Sequence, residues 1–367
     1  MTAAAEPQQQ PSGMDRAVAI GKRILMSEYL ILYLCIAMFV GLWFLSPTVA
    51  TPTNISNLLS NMWPLLVIAV GQTFVLIIAG IDLSQGAVVS LTSVVGAAFI
   101  AESVQPIVFR KSPLWQVMLY EDGAILSDTA IGIPVALLAM LGVGLLIGAF
   151  NGIAVAYGRI PPFMVTLVTS MFVGALAIYV VKTENIIDLP DAFSVIGDDF
   201  ALPALSDFEF FSIAMGIAIG ISVVAHLILS RSIFGRWLYG IGNNPRASLV
   251  SGVPVKKAIV ATYMFSSFCA AAASIIYTAR VEQGRPTLGA PLLLDIIAAV
   301  VIGGTSLFGG RGKIIWTVFG VIFLVLLGNA LSLLNVPFFY VAIVKGSVIL
   351  LAALLDVVRR RLALQQA

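Results

Sequence analysis

"AGIDLSQG" (residues 79–86) stands between two long apolar runs, "WPLLVIAVGQTFVLIIAG" (63–80) and "AVVSLTSVVGAAFIA" (87–101). An aspartate and a serine interrupt the hydrocarbon there, and the meaning of that interruption depends on its setting. The chain has 367 residues, 60% of them hydrophobic and 10% charged. Soluble domains carry about 25% charged residues. A bilayer core is ~30 Å thick and takes ~20 apolar residues per helix. Many runs of that kind occur here, so the expected fold is an all-α polytopic membrane protein. The net charge of +2 gives no footing for nucleic-acid binding; the positive residues serve topology instead.

Ten transmembrane helices are expected, at 29–46, 62–80, 85–101, 130–157, 163–181, 211–230, 258–278, 292–308, 314–334 and 338–356. Loops rich in Lys and Arg stay in the cytoplasm. Arg16, Lys22 and Arg23 place the N-terminus inside. Segment 231–257 then also falls inside, with Arg231, Arg236, Arg246, Lys256 and Lys257 and no acid. Loop 182–210 falls outside, with Lys182 against seven acids. Both termini are therefore expected in the cytoplasm. Residues 1–28, polar and rich in Gln and Pro, read as a flexible tail. A transmembrane domain would cover 29–358, and 359–367 a short cytoplasmic tail. The first apolar run is too long for a signal-peptide core and reads as a retained helix.

In this topology residues 80–85 form a tight break near the inner side. Gly80 is expected to end the first helix. Asp82 or Ser84 is expected to cap the next by accepting from its free N–H groups. A shift of 224 residues lays Gly80 on Gly304 and Gly86 on Gly310, so "GGTSLFGG" (303–310), with Thr305, reads as a second break. Gly144/Gly148, Gly148/Gly152 and Gly216/Gly220 have the spacing of close helix packing. Cys35 and Cys269 lie in apolar runs and read as inert small hydrophobes. With one histidine, His226, no zinc site is expected.

No nucleophile–base pairing stands out. "GGRGKI" (309–314) fails as a Walker motif: position 307 is Leu where Gly is required, and Ile314 follows Lys313. The chain is not expected to hydrolyse ATP, nor to hold a cofactor or metal. Asp295 and Lys345 start from the outer side at depths a long lysine can bridge. A structural ion pair is the favoured reading over a hydrophilic pathway lining. Asn151, Thr166, Thr169, Asn329 and Tyr340 are hydrogen-bonding residues inside the spans, candidates for a pathway lining, and each also reads as helix–helix glue.

The stretch "RSIFGRWLYGIGNNPRASLVSGVPVKK" (231–257) joins a Gly-Asn-Asn-Pro turn to a short helix-prone segment opened by Pro245. A short cytoplasmic helix between spans makes a natural docking knob for a motor protein.

Five stretches in order resemble the permease subunits of ribose-type bacterial ABC importers. They are "AGIDLSQG" (79–86), "GRIPPFMVTL" (158–167), "FGRWLYGIGNNPRASLVSGV" (234–253), "RPTLGAPLLLDIIAAVVIGGTSLFGGRG" (285–312) and "VKGSVILLAALLD" (344–356). The chain departs from the family pattern at Leu294, where Glu is usual, at Asn243, where a second Gly is usual, and in a longer outer loop 102–128. The resemblance implies import of a monosaccharide or related polyol delivered by a periplasmic binding protein. It implies a second permease, the same or a paralogue, in the bacterial inner membrane. It implies ATPase subunits carrying ATP and Mg, docked on a coupling loop that includes Gly235, Arg236, Gly240, Gly242, Asn243, Asn244, Ala247, Ser251 and Gly252. A branched-chain amino-acid permease of the related importer group and an ion-driven secondary transporter are the alternatives.

Overall fold

A computed structural model describes residues 29–127, 129–197 and 212–364. Among the described residues the fold is helical but for one hairpin of two-residue strands, β1 (Leu119–Tyr120) with β2 (Gly123–Ala124). The main helices are α1 (Leu30–Leu45), α2 (Pro52–Ile77), α3 (Gln85–Ile100), α4 (Gly132–Ala156), α5 (Pro162–Val181) and α6 (Ile213–Arg231). After them come α7 (Ile233–Asn243), α8 (Pro245–Val250), α9 (Val255–Val281), α10 (Leu292–Gly303), α11 (Ile314–Leu333) and α12 (Phe338–Leu364). Six of these, α2, α4, α5, α6, α9 and α11, are long and apolar enough to cross a membrane, and α1, α3, α10 and part of α12 are shorter apolar helices.

Every expected span has a helix, with edges that shift for local reasons. α2 begins ten residues before the expected edge, in the polar stretch "PTNISNLLSN". Thr51 caps it by accepting from the Asn54 N–H at 3.4 Å, and Pro52 takes the first position, where no donor is needed. The last helix runs to Leu364, so the expected tail at 359–367 is mostly helical. The expected tail at 1–28 and much of loop 182–210 lie outside the described residues.

The bundle is organised by two extended segments that turn back into it. α2 ends at Ile77, yet the first residue of α3, Gln85, donates from Nε2 to the Ile68 carbonyl at 3.3 Å. At 1.5 Å of rise per residue, Ile68 lies about 14 Å back from the end of α2. Residues 78–84 therefore run back along α2, and α3 starts deep inside. The same design recurs after α9. There the Arg285 N–H donates to Ser93 Oγ at 3.2 Å and the Gly289 N–H to Ser90 Oγ at 3.0 Å. Residues 282–291 thus descend along α3 until Gly289 lies backbone to backbone against Gly86. α2 and α9 are antiparallel: Arg280, at the end of α9, donates to Asn61 Oδ1, near the start of α2. The two returning segments therefore enter from opposite ends and meet in the middle.

The two returning segments follow the helix ends Ile77 and Val281, a different pair of positions from the 224-residue echo of the sequence. The second break expected at 303–310 does exist, one residue away from that offset. Ala79 donates to the Leu76 carbonyl and Gly80 to the Val75 carbonyl; Gly304 donates to Val301 and Thr305 to Val300. These are two Schellman closures, with the left-handed position filled by Ala79 (φ 59°) and by Gly304 (φ 108°). Gly80 is thus not the left-handed residue that ends α2. It is one residue further on, where a Cβ would lie 2.7 Å from the Tyr263 hydroxyl.

α4 and α9 cross closely at Gly144, Gly148 and Gly152, whose missing side chains leave room for the backbone of 260–267. Gly216 and Gly220 have nothing within 4 Å, so their spacing does not serve packing within the chain. Cys35 and Cys269 are buried and free.

Candidate functional site

Asp82 is 1% exposed and lies on the returning segment 78–84. One carboxylate oxygen accepts from the Ser84 N–H at 3.0 Å and the Ser84 hydroxyl at 2.6 Å. The other accepts from the Ser266 hydroxyl at 2.7 Å. Ser266 is itself held by Gln85 Nε2 at 2.9 Å. On the far side, Asn151 Nδ2 donates to Ser84 Oγ at 2.9 Å, and the Thr169 hydroxyl donates to Asn151 Oδ1 at 2.7 Å. The Thr166 hydroxyl donates to the Ile81 carbonyl at 3.1 Å and to Pro162 at 3.0 Å. From Thr169 through Asn151 and Ser84, and from Gln85 through Ser266, the donors point towards the Asp82 carboxylate, which can only accept.

The structure therefore brings Asp82, Ser84, Asn151, Thr166 and Thr169 together from α4, α5 and the first break. Two of the expected roles are corrected. Neither Asp82 nor Ser84 caps α3: Ser84 holds the cap position in helical geometry with no side-chain cap bond, and the donors that Asp82 takes are Ser84 and Ser266. Nor does the site lie at the end of α2, because α3 starts beside Ile68. Close-packed as it is, the cluster acts as polar glue that fixes the returning segment against three helices. Ser266 and Gln85 were missed from sequence. Both were legible only as isolated polar residues in apolar helices.

Gln72, whose two amide atoms are buried with no hydrogen-bond partner, and Tyr263, whose hydroxyl is in the same state, are further polar groups of this core. Gln72 falls on the face of α2 that carries Ile68 and Val75, along which the returning segment runs. Such groups are costly unless an added partner satisfies them.

The remaining candidates lie apart. Asn329 and Asn54 exchange two amide bonds, at 2.8 and 3.1 Å, which ties α11 to α2. Tyr340 is half exposed, with its ring 4.4 Å from that of Phe339. Thr305 is 1% exposed and its hydroxyl has no hydrogen-bond partner. Lys345 Nζ lies 2.7 Å from Asp295 Oδ2, joining α12 to α10, with the two side chains 25% and 21% exposed. That geometry fits the structural reading of the pair. Lys345→Met is expected to destabilise the protein by about 1–3 kcal/mol, between the values for surface and buried pairs. Thermal unfolding in detergent, with Asp295→Leu and the double variant completing a cycle, checks it; a coupling indistinguishable from zero would show the contact to be incidental.

At the end of the bundle where both breaks lie, segment 231–257 folds as two helices. α8 has the expected form: Pro245 opens it, Asn244 Oδ1 accepts from the Ala247 N–H at 3.0 Å, and Ser251 and Gly252 (φ 82°) close it. Leu249 is 63% and Val250 90% exposed, an apolar tip on a basic, polar segment. α7 is a second helix in a segment where the sequence reading expects a basic loop with one short helix. Ser232 caps it by accepting from the Gly235 N–H at 3.1 Å. Its buried face carries Gly235, Leu238 and Ile241, while Arg236 is exposed. Asn243 Nδ2 donates to the Tyr239 carbonyl at 2.9 Å, and the Tyr239 hydroxyl donates to the Gly312 carbonyl at 2.7 Å.

At the opposite end, the long loop 102–127 and residues 184–189 form a tied cap. The Glu102 N–H donates to the Asp188 carbonyl at 2.8 Å, and the Ser103 hydroxyl to Asp188 Oδ2 at 2.5 Å. A cavity of about 230 Å³ between them is lined by Ser103, Gln105, Glu184 and Asn185, among others.

Residues 54–353 match the family described as branched-chain amino acid transport system / permease component. The ribose import permease protein RbsC of Haemophilus influenzae is 35% identical over 316 residues, 85% of this chain and 87% of that protein. The galactose/methyl galactoside import permease protein MglC of the same organism is 32% identical over 313 residues, 84% of this chain and 88% of that protein. The D-allose transport system permease protein AlsC of Escherichia coli is 30% identical over 317 residues, 83% of this chain and 84% of that protein. No solved structure matches this chain. The family match spans α3 to α11 and most of α2 and α12, including both breaks and the α7–α8 pair; the chain belongs to this family of membrane transport permeases.

Proposed function

We propose that this chain is the transmembrane permease of an ATP-driven importer, and that its cargo is a monosaccharide or related polyol. The observation that carries the reading is its similarity to ribose, galactose and allose permeases over more than four-fifths of its length. In this reading ten helices cross the bacterial inner membrane and both termini are cytoplasmic. The six long apolar helices, the four shorter ones and the basic 231–257 segment support that topology. ATP and Mg belong to a partner ATPase that docks on α7 and α8. A periplasmic binding protein delivers the sugar to the acidic outer cap, and a second permease completes the pathway.

The polar candidates fit a division of labour. The Asp82 cluster is sealed, and so suits holding the helices rather than touching cargo. Leu249 and Val250 suit a partner, since an exposed apolar tip on a basic cytoplasmic segment has no use in water. Leu249→Glu together with Val250→Glu is expected to lower co-purification of the ATPase about tenfold or more, in keeping with the loss of central apolar anchors. Pull-down from membranes by the tagged permease checks this, and undiminished co-purification would place the docking surface elsewhere.

The main reading is tested in proteoliposomes that hold the permease, its ATPase and its binding protein. Uptake of labelled ribose, galactose or allose is expected to require ATP. Uptake driven by a proton gradient without ATP would overturn it in favour of a secondary transporter. The description of the matched family raises a second reading, amino-acid import. Ligand profiling of the binding protein separates the two: a sugar supports the first and a branched-chain amino acid the second.

A further inference from the structure

Gly242, in the last turn of α7, occupies a crowded place. A Cβ there would overlap the Ile77 carbonyl oxygen and lie 2.5 Å from the Gly310 nitrogen. Those two atoms are bonded to each other: the Gly310 N–H donates to the Ile77 carbonyl at 2.8 Å. Ile77 is the last residue of α2, at the first break, and Gly310 belongs to the second break, between α10 and α11. Gly309 packs here too, its Cβ position 2.8 Å from Ala79 and 3.0 Å from the Gly242 carbonyl. Asn243 lies against the Gly310 α-carbon, and the Tyr239 hydroxyl holds Gly312. A single turn of one short helix thus rests on the bond that joins the two breaks. Gly309 (φ 82°) and Gly310 (φ 72°) both lie in the left-handed region, which lets the second break fold down onto this point.

We infer that Gly242 is a positioning residue for transport: its backbone, set against the Gly310–Ile77 bond, is the joint through which α7 moves both helix breaks together. The inference rests on the proposed role of α7 and α8 as the ATPase docking element. Close-packed backbone transmits displacement without slack, whereas long side chains absorb it. Movement of Ile77 reaches Asp82 within five residues, and from there Ser266, Asn151 and Thr169. Movement of Gly310 reaches α10 and α11 through the Ser306 N–H bond to the Arg311 carbonyl. A push on α7 would therefore arrive in both halves of the bundle at once.

The test uses the complete reconstituted importer, scored by sugar uptake and ATP hydrolysis in the same vesicles. Gly242→Ala wedges a methyl group into the joint and is expected to cut sugar moved per ATP about tenfold or more, within the range of ordinary coupling energies. Weaker docking alone would lower uptake and hydrolysis together and leave this ratio unchanged, so the ratio reports the joint itself. Gly216→Ala, at a helical glycine with nothing within 4 Å, controls for the change of helix propensity and is expected to transport normally. Should Gly242→Ala fail to assemble, Tyr239→Phe removes only the bond to Gly312 and is expected to lower the same ratio. Gly242→Ala, or Tyr239→Phe in its place, moving as much sugar per ATP as the unaltered protein would overturn the inference. A wild-type importer that needs no ATP would instead remove the functional reading beneath it, so the two failures are distinguishable.

Discussion

Asp82→Ala is expected to destabilise the folded protein by about 2–4 kcal/mol, since it strands the Ser84 and Ser266 hydroxyls in a dry core. Both hydroxyls donate to the Asp82 carboxylate, and Gln85 and Asn151 are arranged on those hydroxyls in turn. Losing the acceptor at the end of the chain therefore disturbs the three helices that carry Ser266, Gln85 and Asn151. Asp82→Asn keeps one acceptor oxygen, and Ser266 can turn its hydroxyl to accept from the new amide, so about 1 kcal/mol is expected. Thermal unfolding of the detergent-solubilised protein should rank wild type, Asn and Ala in that order. An Asp82→Ala protein as stable as wild type would mean that the cluster contributes nothing to holding the bundle. Full sugar uptake by Asp82→Asn would show the negative charge to be dispensable.

Gly86→Ala should also damage the protein severely. Its Cβ would sit 2.5 Å from the Gly289 carbonyl oxygen, and both partners are backbone, so no side chain can swing aside. Overpacking of this kind costs about 1–3 kcal/mol, and the two returning segments must separate where they meet. Gly174→Ala is the fitting control: it is also helical, and its nearest neighbour would be Ala87 at 3.9 Å. There the gain in helix propensity, up to about 1 kcal/mol, should leave stability unchanged or raised. Equal unfolding temperatures for the two variants would refute the claim that the meeting point is tight.

The two predictions concern residues of very different legibility. Asp82 announces itself, since a carboxylate between two apolar runs demands an explanation. The partners that explain it, Ser266 and Asn151, are 184 and 67 residues away from the atoms they bind. No local pattern marks them, because a serine in a membrane helix bonds its own backbone as readily as a distant side chain. Asn329 and Asn54 are alike in this respect: each is an ordinary polar residue until the other is placed opposite. α7 was hidden for another reason. Glycine is a poor helix former in isolation, and three of them in eleven residues argue for a loop until the contacts that they permit are seen.

Composition, hydropathy and charge along the chain already specify a bundle of apolar helices, the basic segment between them, and the two breaks in the hydrocarbon. Length, hydropathy and charge are properties of a segment taken alone, and the bilayer acts on each segment separately. That Asp82 sits beside Ile68, that Asp295 finds Lys345, and that Gly242 lies on the bond between the breaks follows from the packing of the whole bundle. Those facts depend on where a returning chain stops against its neighbours. That is set by packing between backbones far apart in sequence, and no single stretch carries it.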